Sequence, residues 1–199
     1  MGLVEIQRAL ALLFTDAALR ERFFNDPQRV GQDLGLSADD IQQVAQISGQ
    51  QVRRFASSLH SKRLGEIYKL LPLTYKALGK QFTALFCQYA DSYVPSGVKR
   101  HSEDAIAFAT YIERRVVVEK GIAPIWVADV VRYEKARLLM GDVKRRMLLM
   151  RSHYALNQLI QSLERGDEEP SLLSKSTYML WYRLSSKGNA RLLVFTPPR

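Results

Sequence analysis

Between Lys80 and Tyr93 the chain places Phe82, Leu85, Phe86, Tyr89, Ala90 and Tyr93 at intervals of three and four. That spacing gives a helix one continuous apolar face, and a face this aromatic has to be buried. Upstream, Val52, Phe55, Ala56, Leu59, Leu64, Ile67, Leu70 and Leu71 mark the stripe of a longer helix beginning near Gln50. Pro72 must end or kink that helix. Proline lacks the amide proton and its ring meets the preceding turn, which costs about 3 kcal/mol in a helix interior. Gly79 then separates a short helix from the aromatic one. Cys87 lies one residue off the aromatic stripe and reads as a small packed side chain.

The first 47 residues have a different grain. Val4, Ile6, Ala9, Leu10, Leu13 and Phe14 form one helical stripe, Thr15 or Asp16 can cap a second helix through Phe24, and Asp26-Pro27 opens a third that Gly35 ends. Ser37-Ala38-Asp39-Asp40 opens a fourth. A head of short capped helices, residues 1–47, is therefore expected to pack on a helical body.

Beyond the aromatic helix, the loop Pro95-Ser96-Gly97 precedes a helix capped at Ser102-Glu103-Asp104 and running to about Arg115. Val116-Val117-Val118, followed by Gly121 and Pro124, reads as a loop. Ile125–Met140 is helical again, and Gly141 stops it. The texture then changes. Ser152 can cap a helix over His153–Leu163, Asp167-Glu-Glu-Pro is a polar loop, and Thr177–Leu184 with Arg191–Phe195 form a β-hairpin about the turn residues Ser185–Asn189. A lone hairpin is marginal in water, so Lys144–Arg151 is the expected third strand. The fold class is mainly α: a multi-helix N-terminal body, residues 48–141 following the head, with a small hairpin-containing β module in residues 142–199.

Charge is distributed unevenly. Residues 1–50 carry a net −3 and residues 51–199 a net +12, within a total of +9. A basic body suits an acidic partner, a peptide or a nucleic acid. No apolar run approaches the roughly 20 residues of a membrane span. The N-terminus has an acid early and an arginine inside its apolar run, unlike a signal peptide. The expected location is cytoplasmic, with no membrane contact.

The motifs of common catalysis are missing: no G-x-S-x-G, no phosphate-binding loop and no dinucleotide fingerprint. His60, His101 and His153 are far apart, so no metal site, cofactor or catalytic residue is assigned. Asp129 and Glu134, five apart, make no acid–base pair. Lys62, Lys69 and Lys76 recur every seven residues and Lys80 follows them, which suggests a basic face for a partner. A DNA-binding regulator is the alternative. However, the helix after Gly79 devotes itself to a core face and leaves little for groove readout, so nucleic acid would bind only non-specifically.

The run KRLGEIYKLLPLTYKALGKQFTALFCQYADSYVPSG, then DAIAFATYI, then PIWVADVVRYEKA resembles a bacterial family named for a DNA-binding domain. That family includes the partner subunits of iron enzymes that mature methanobactin- and bufferin-type copper peptides. The likeness lies in Leu78-Gly79, in Phe82, Leu85 and Tyr89, and in Asp129, Tyr133 and Glu134. MLLMRSHYALNQLIQSLERG and the YMLWYRL…ARLLVF hairpin resemble the family's C-terminal β module, so the likeness spans roughly residues 55–195. The head departs from the usual member; FFNDPQRVGQDLGLSADDIQQVA resembles helical heads of some modified-peptide leaders and small dioxygenase subunits. The resemblance implies a non-catalytic accessory protein for a metalloenzyme or its peptide substrate. Lys62, Lys69, Lys76 and Lys80 on the body, with Trp181, Arg183 and Arg191 on the β module, are the candidate partner-binding residues. A small sheet has open edges, and an open edge can take an extended acidic chain as an added strand; the alternative is that the tail Thr196-Pro197-Pro198 caps the edge, since proline blocks pairing.

Overall fold

The structure is a computed structural model that describes residues 2–91, 93–95, 100–118, 123–167, 175–185 and 187–196. The turn residues Ser96, Gly97, Gly121 and Ser186, the acids and proline of 168–170 and the prolines 197 and 198 lie outside them. Among the described residues the chain forms ten helices and one three-stranded antiparallel sheet of order β1-β2-β3. It divides into two compact units, one of residues 1–64 with 87–94, the other of residues 65–86 with 95–199.

The first unit holds α1 (Leu3–Thr15), α2 (Ala17–Asn25), α3 (Pro27–Asp33), α4 (Ala38–Ala45) and most of α5 (Gly49–Leu70). Its helix starts follow from side-chain caps. The Asp16 carboxylate accepts from the Leu19 amide at 2.8 Å, and Asp26, just ahead of Pro27, accepts from Arg29 N at 3.1 Å. Ser37 Oγ accepts from the Asp40 amide and donates back to Asp40 Oδ2 at 2.6 Å. Each cap satisfies an otherwise orphaned amide, worth about 1 kcal/mol. Gly35, at φ +78°, closes α3 in a conformation that a Cβ disfavours. Ala9, Leu13, Phe23, Val30, Leu36, Ile41, Val44 and Val52 form the core. Gly31 is required there, because a Cβ on it would stand 2.4 Å from Ile41 Cγ1.

The second unit holds the end of α5, α6 (Pro72–Leu78), most of α7 (Lys80–Ala90), α8 (Arg100–Val118), α9 (Trp126–Leu139), β1 (Met147–Ser152), α10 (Leu156–Arg165), β2 (Thr177–Tyr182) and β3 (Arg191–Phe195). Pro72 does not kink α5. It starts α6 at the first helical position, where its missing amide costs nothing. Phe82, Phe86 and Phe108 are fully buried and meet edge to face at about 5 Å, and Tyr68 stacks on Phe82. Tyr89 and Trp126 are buried as their stripes require.

Several expectations need correction. Val116-Val117-Val118 is the last turn of α8 rather than a loop: Val116 is buried beside Ile112 on the face that α8 turns inward. α8 starts at Arg100, so Ser102 and Glu103 lie in its first turn and Asp104 just beyond it, none of them ahead of the helix. α7 ends at Ala90, which leaves Tyr93 outside the helix and exposed, stacked on Tyr89. Cys87 is exposed rather than packed. Phe55 is half exposed, its ring lying against Phe14. Ser152 ends β1 and does not cap α10, which begins four residues later, at Leu156 behind Ala155.

Removing a ring from the aromatic knot leaves a cavity that the neighbouring rings cannot fill. Phe82→Ala and Phe108→Ala are each expected to lower unfolding free energy by about 3–5 kcal/mol, measured by urea denaturation. Losses below 1 kcal/mol at both positions would contradict this packing.

Candidate functional site

Helix α9 carries the polar residues that organise the second unit. Its Glu134 side chain is fully buried, and its two oxygens accept the Leu73 amide at 2.9 Å and the Thr74 amide at 2.8 Å. These are first-turn amides of α6, which have no partner within their own helix. No side chain at Leu71 can cap them, so a carboxylate from sixty residues away does so. One turn along α9, the Arg137 guanidinium reaches the Leu70 carbonyl at 3.4 Å, at the C-terminal end of α5. A cation therefore faces a helix C-terminus and an anion faces a helix N-terminus, each matched to the local dipole.

Asp129, also buried, does the same for the turn after β1. Its Oδ2 accepts Ser152 Oγ at 2.8 Å, the His153 amide at 2.6 Å and the Tyr154 amide at 3.3 Å. Its Oδ1 lies 3.3 Å from Arg132 Nη1 and 3.3 Å from His153 Nδ1. Serine, histidine and aspartate thus meet, but in an order unsuited to nucleophilic catalysis. The serine hydroxyl donates to the aspartate, is fully buried, and is not presented to a histidine base. Asp129 and Glu134 are structural anchors, each carboxylate satisfying main-chain amides of a separate element. Their spacing suggested no acid–base pair and gave no hint of this role.

The neighbouring face of α9 forms a groove. Glu113 of α8 accepts Arg132 Nε at 2.7 Å and Lys135 Nζ at 2.5 Å. Burial opposes ionisation of Glu113, but these two bonds outweigh it and hold its carboxyl below the ordinary value. Beside the trio runs a hollow of about 400 Å³ lined by Arg132, Lys135, Ala136 and Leu139 on one side and by the successive strand residues 148–151 on the other. A second hollow of about 280 Å³ shares Glu113 and Arg132 and adds Arg114. The hollow thus runs beside four successive residues of β1, which is an edge strand.

The hydrogen-bond alternation of antiparallel strands tells which groups of β1 face the groove. The Arg183 amide donates to the Arg146 carbonyl at 2.8 Å, so Leu148, Met150 and Ser152 face β2 with their main-chain groups. Met147, Leu149 and Arg151 turn theirs outward. Leu149 is 61% exposed and Met147 64%.

The seven residues singled out from sequence fall in different settings. Lys62, Lys69, Lys76, Lys80 and Arg191 are exposed. Lys62 belongs to the first unit and the rest to the second. Lys69 pairs with Glu66 at 2.7 Å in the last turn of α5, Lys76 reaches the Glu164 carbonyl at 3.5 Å from α6, and Lys80 begins α7. Because the helix breaks at Leu71 and again at Gly79, their seven-residue repeat does not run along one helix. Trp181 is buried on the central strand, 5.9 Å from the Tyr133 ring. Arg183 donates to the Met140 carbonyl at the end of α9 and to Gly188 O in the hairpin. The groove residues Arg132, Lys135 and Arg151 were not found from sequence. Their only signal is an i, i+3 basic pair on α9, which any solvated helix could carry.

Among the described residues no three His, Cys, Asp or Glu side chains gather as a metal site requires. None of the described helices is long and apolar enough to cross a membrane. α7 buries Phe82, Leu85 and Phe86 and exposes Lys80, Gln81, Thr83, Ala84, Cys87 and Gln88.

Residues 46–114, about a third of the chain, match the model of the family described as SCO6045-like, C-terminal domain. Over that span the chain is similar to this family. The matched segment takes in α5, α6, α7 and most of α8, and with them the aromatic knot and the four lysines. It ends before α9 and the β module. No curated protein matches the chain.

Burial pushes the Glu134 pKa above the ordinary 4.5, against the opposing pull of the Leu73 and Thr74 amides and of Arg137. Between 4.5 and the raised value the folded chain holds a proton that the unfolded chain has lost. Stability therefore falls as pH rises through that window. Glu134→Gln is expected to abolish this slope in a stability–pH series and, by leaving one buried amide unmatched, to cost about 1–3 kcal/mol at neutral pH. An unchanged slope would exclude Glu134 as its source.

Proposed function

We propose that this protein is a non-catalytic partner that presents an extended, acidic peptide to a metalloenzyme. The observation that carries the reading is the open edge of β1 beside a cationic groove. An incoming strand can bond to the outward main-chain groups of Met147, Leu149 and Arg151, which is β-augmentation. Arg114, Arg132, Lys135 and Arg151 surround the path, with Glu113 the one acid lining it. Acidic side chains on the guest would be attracted there, and basic ones repelled. The sequence resemblance to partner subunits of peptide-maturing iron enzymes supports the same reading, as does the lack of a catalytic arrangement around Asp129, Ser152 and His153.

The docking edge differs from the hairpin edge suggested by sequence. β2 is the central strand, paired on both sides, so Trp181 and Arg183 serve the fold. Here the groove belongs to β1, and the chemistry of the guest is set by the cations of α8 and α9.

Capture of a synthetic extended acidic peptide, with a basic peptide of the same length as control, tests the proposal. The full-length protein is expected to retain the acidic peptide. Leu149→Pro, which removes one outward amide, and Arg151→Glu, which reverses one groove charge, are each expected to weaken capture about tenfold, the equivalent of 1.4 kcal/mol. Capture undiminished in both variants would remove the β1 groove from the mechanism. Recovery of one specific DNA sequence with nanomolar preference, in place of a peptide, would favour a regulator instead.

A further inference from the structure

The other edge of the sheet is β3. All five residues of β3 are exposed, on both faces of the strand, including Leu193 at 51% and Phe195 at 49%. Natural edge strands are usually protected by lysine, proline, a bulge or a covering element, and Arg191-Leu-Leu-Val-Phe195 contains no lysine or proline. By the same alternation used for β1, Tyr182, Leu180 and Tyr178 bond to Arg191, Leu193 and Phe195. The main-chain groups of Leu192 and Val194 therefore point away from the sheet.

We infer that β3 pairs with β3 of a second copy of this chain, antiparallel about a two-fold axis at Leu193, joining two sheets into one of six strands. The pattern of the strand is self-complementary in this register and in no parallel one. A two-fold at Leu193 sets Leu192 opposite Val194 of the partner, and the outward groups of those two residues exchange hydrogen bonds on both sides of the axis. Leu193 meets its own copy at the centre. Arg191, the only charge on the strand, falls opposite Phe195, where a guanidinium can lie against a ring. A parallel pairing would instead place Arg191 beside Arg191. The two-fold is also the commonest symmetry of homo-oligomers, because it closes on itself.

Pairing five residues edge to edge buries much less than the roughly 800 Å² per partner of a standard interface. Each chain also carries +9, so the copies repel. The dimer is accordingly weak, reversible and concentration-dependent, and added salt strengthens it by screening the repulsion. This surface is separate from the β1 groove and stands whether or not a peptide binds there.

Sedimentation equilibrium of the full-length protein over a wide concentration range, at low and at high salt, tests the inference. Wild type is expected to pass from monomer to dimer, with the midpoint moving to lower concentration as salt rises. Leu193→Lys and Leu193→Glu each bring like charges together at the axis and are expected to raise the midpoint at least tenfold. Mixing those two variants is expected to restore association, a result that misfolding of either could not produce. A wild type that stays monomeric throughout would overturn the inference. So would variants that dimerise as wild type does, or a dimer that weakens with salt.

Discussion

The break between α5 and α6 is the constraint on which the second unit depends. Two helices that meet at Leu71 leave an orphaned carbonyl end, open to solvent, beside an orphaned amide end that is buried. Neither helix has a side chain placed to satisfy them. Helix α9 supplies both partners at once, Arg137 to the carbonyl of Leu70 and Glu134 to the amides of Leu73 and Thr74. An unsatisfied buried amide costs about 1–3 kcal/mol, so the turn and the helix that caps it are energetically one object.

The rest of the unit is arranged along the same helix. Asp129 fixes the exit of β1, Arg132 and Lys135 reach Glu113 on α8, Tyr133 meets Trp181 of the central strand, and the Met140 carbonyl receives Arg183. α9 is thus anchored along its length by polar contacts as well as by its apolar face. The groove at β1 follows from this. It is bounded on one side by a strand whose end Asp129 holds and on the other by side chains of α9 whose direction Glu113 holds. Both walls of the groove are held in this way, which would lower the ordering cost of the proposed peptide binding.

Much of the fold was legible because it rests on local signals. The caps at Asp16, Asp26 and Ser37, the stops at Gly35 and Gly79 and the stripe of α7 act within a turn or two, so they can be read directly. β1 was legible for a less local reason: the hairpin needed a third strand. Misread segments share a cause. Val116–Val118 has β-branched side chains that disfavour helix in isolation, but burial of Val116 on the inner face of α8 outweighs that preference. Ser152 has the chemistry of a helix cap, yet its hydroxyl is taken by Asp129, twenty-three residues away. The candidate site was the least legible part. Sequence spacing placed Asp129 and Glu134 off a shared helix face and suggested no acid–base pair, but their partners lie on elements that only folding brings near. The lysine repeat, by contrast, was regular in sequence and broken in space by Leu71 and Gly79.

Amide hydrogen exchange at Leu73 and Thr74, followed residue by residue, tests the central role of α9 most directly. First-turn amides of a helix normally exchange freely, because nothing within the helix bonds them. Here both are expected to be protected in the wild type to a degree comparable with the interior of α9, and to lose that protection selectively in Glu134→Ala while the amides in the middle of α8 keep theirs. Fast exchange of Leu73 and Thr74 in the wild-type protein would show that the buried carboxylate does not hold the break, and the account of the second unit would fail with it.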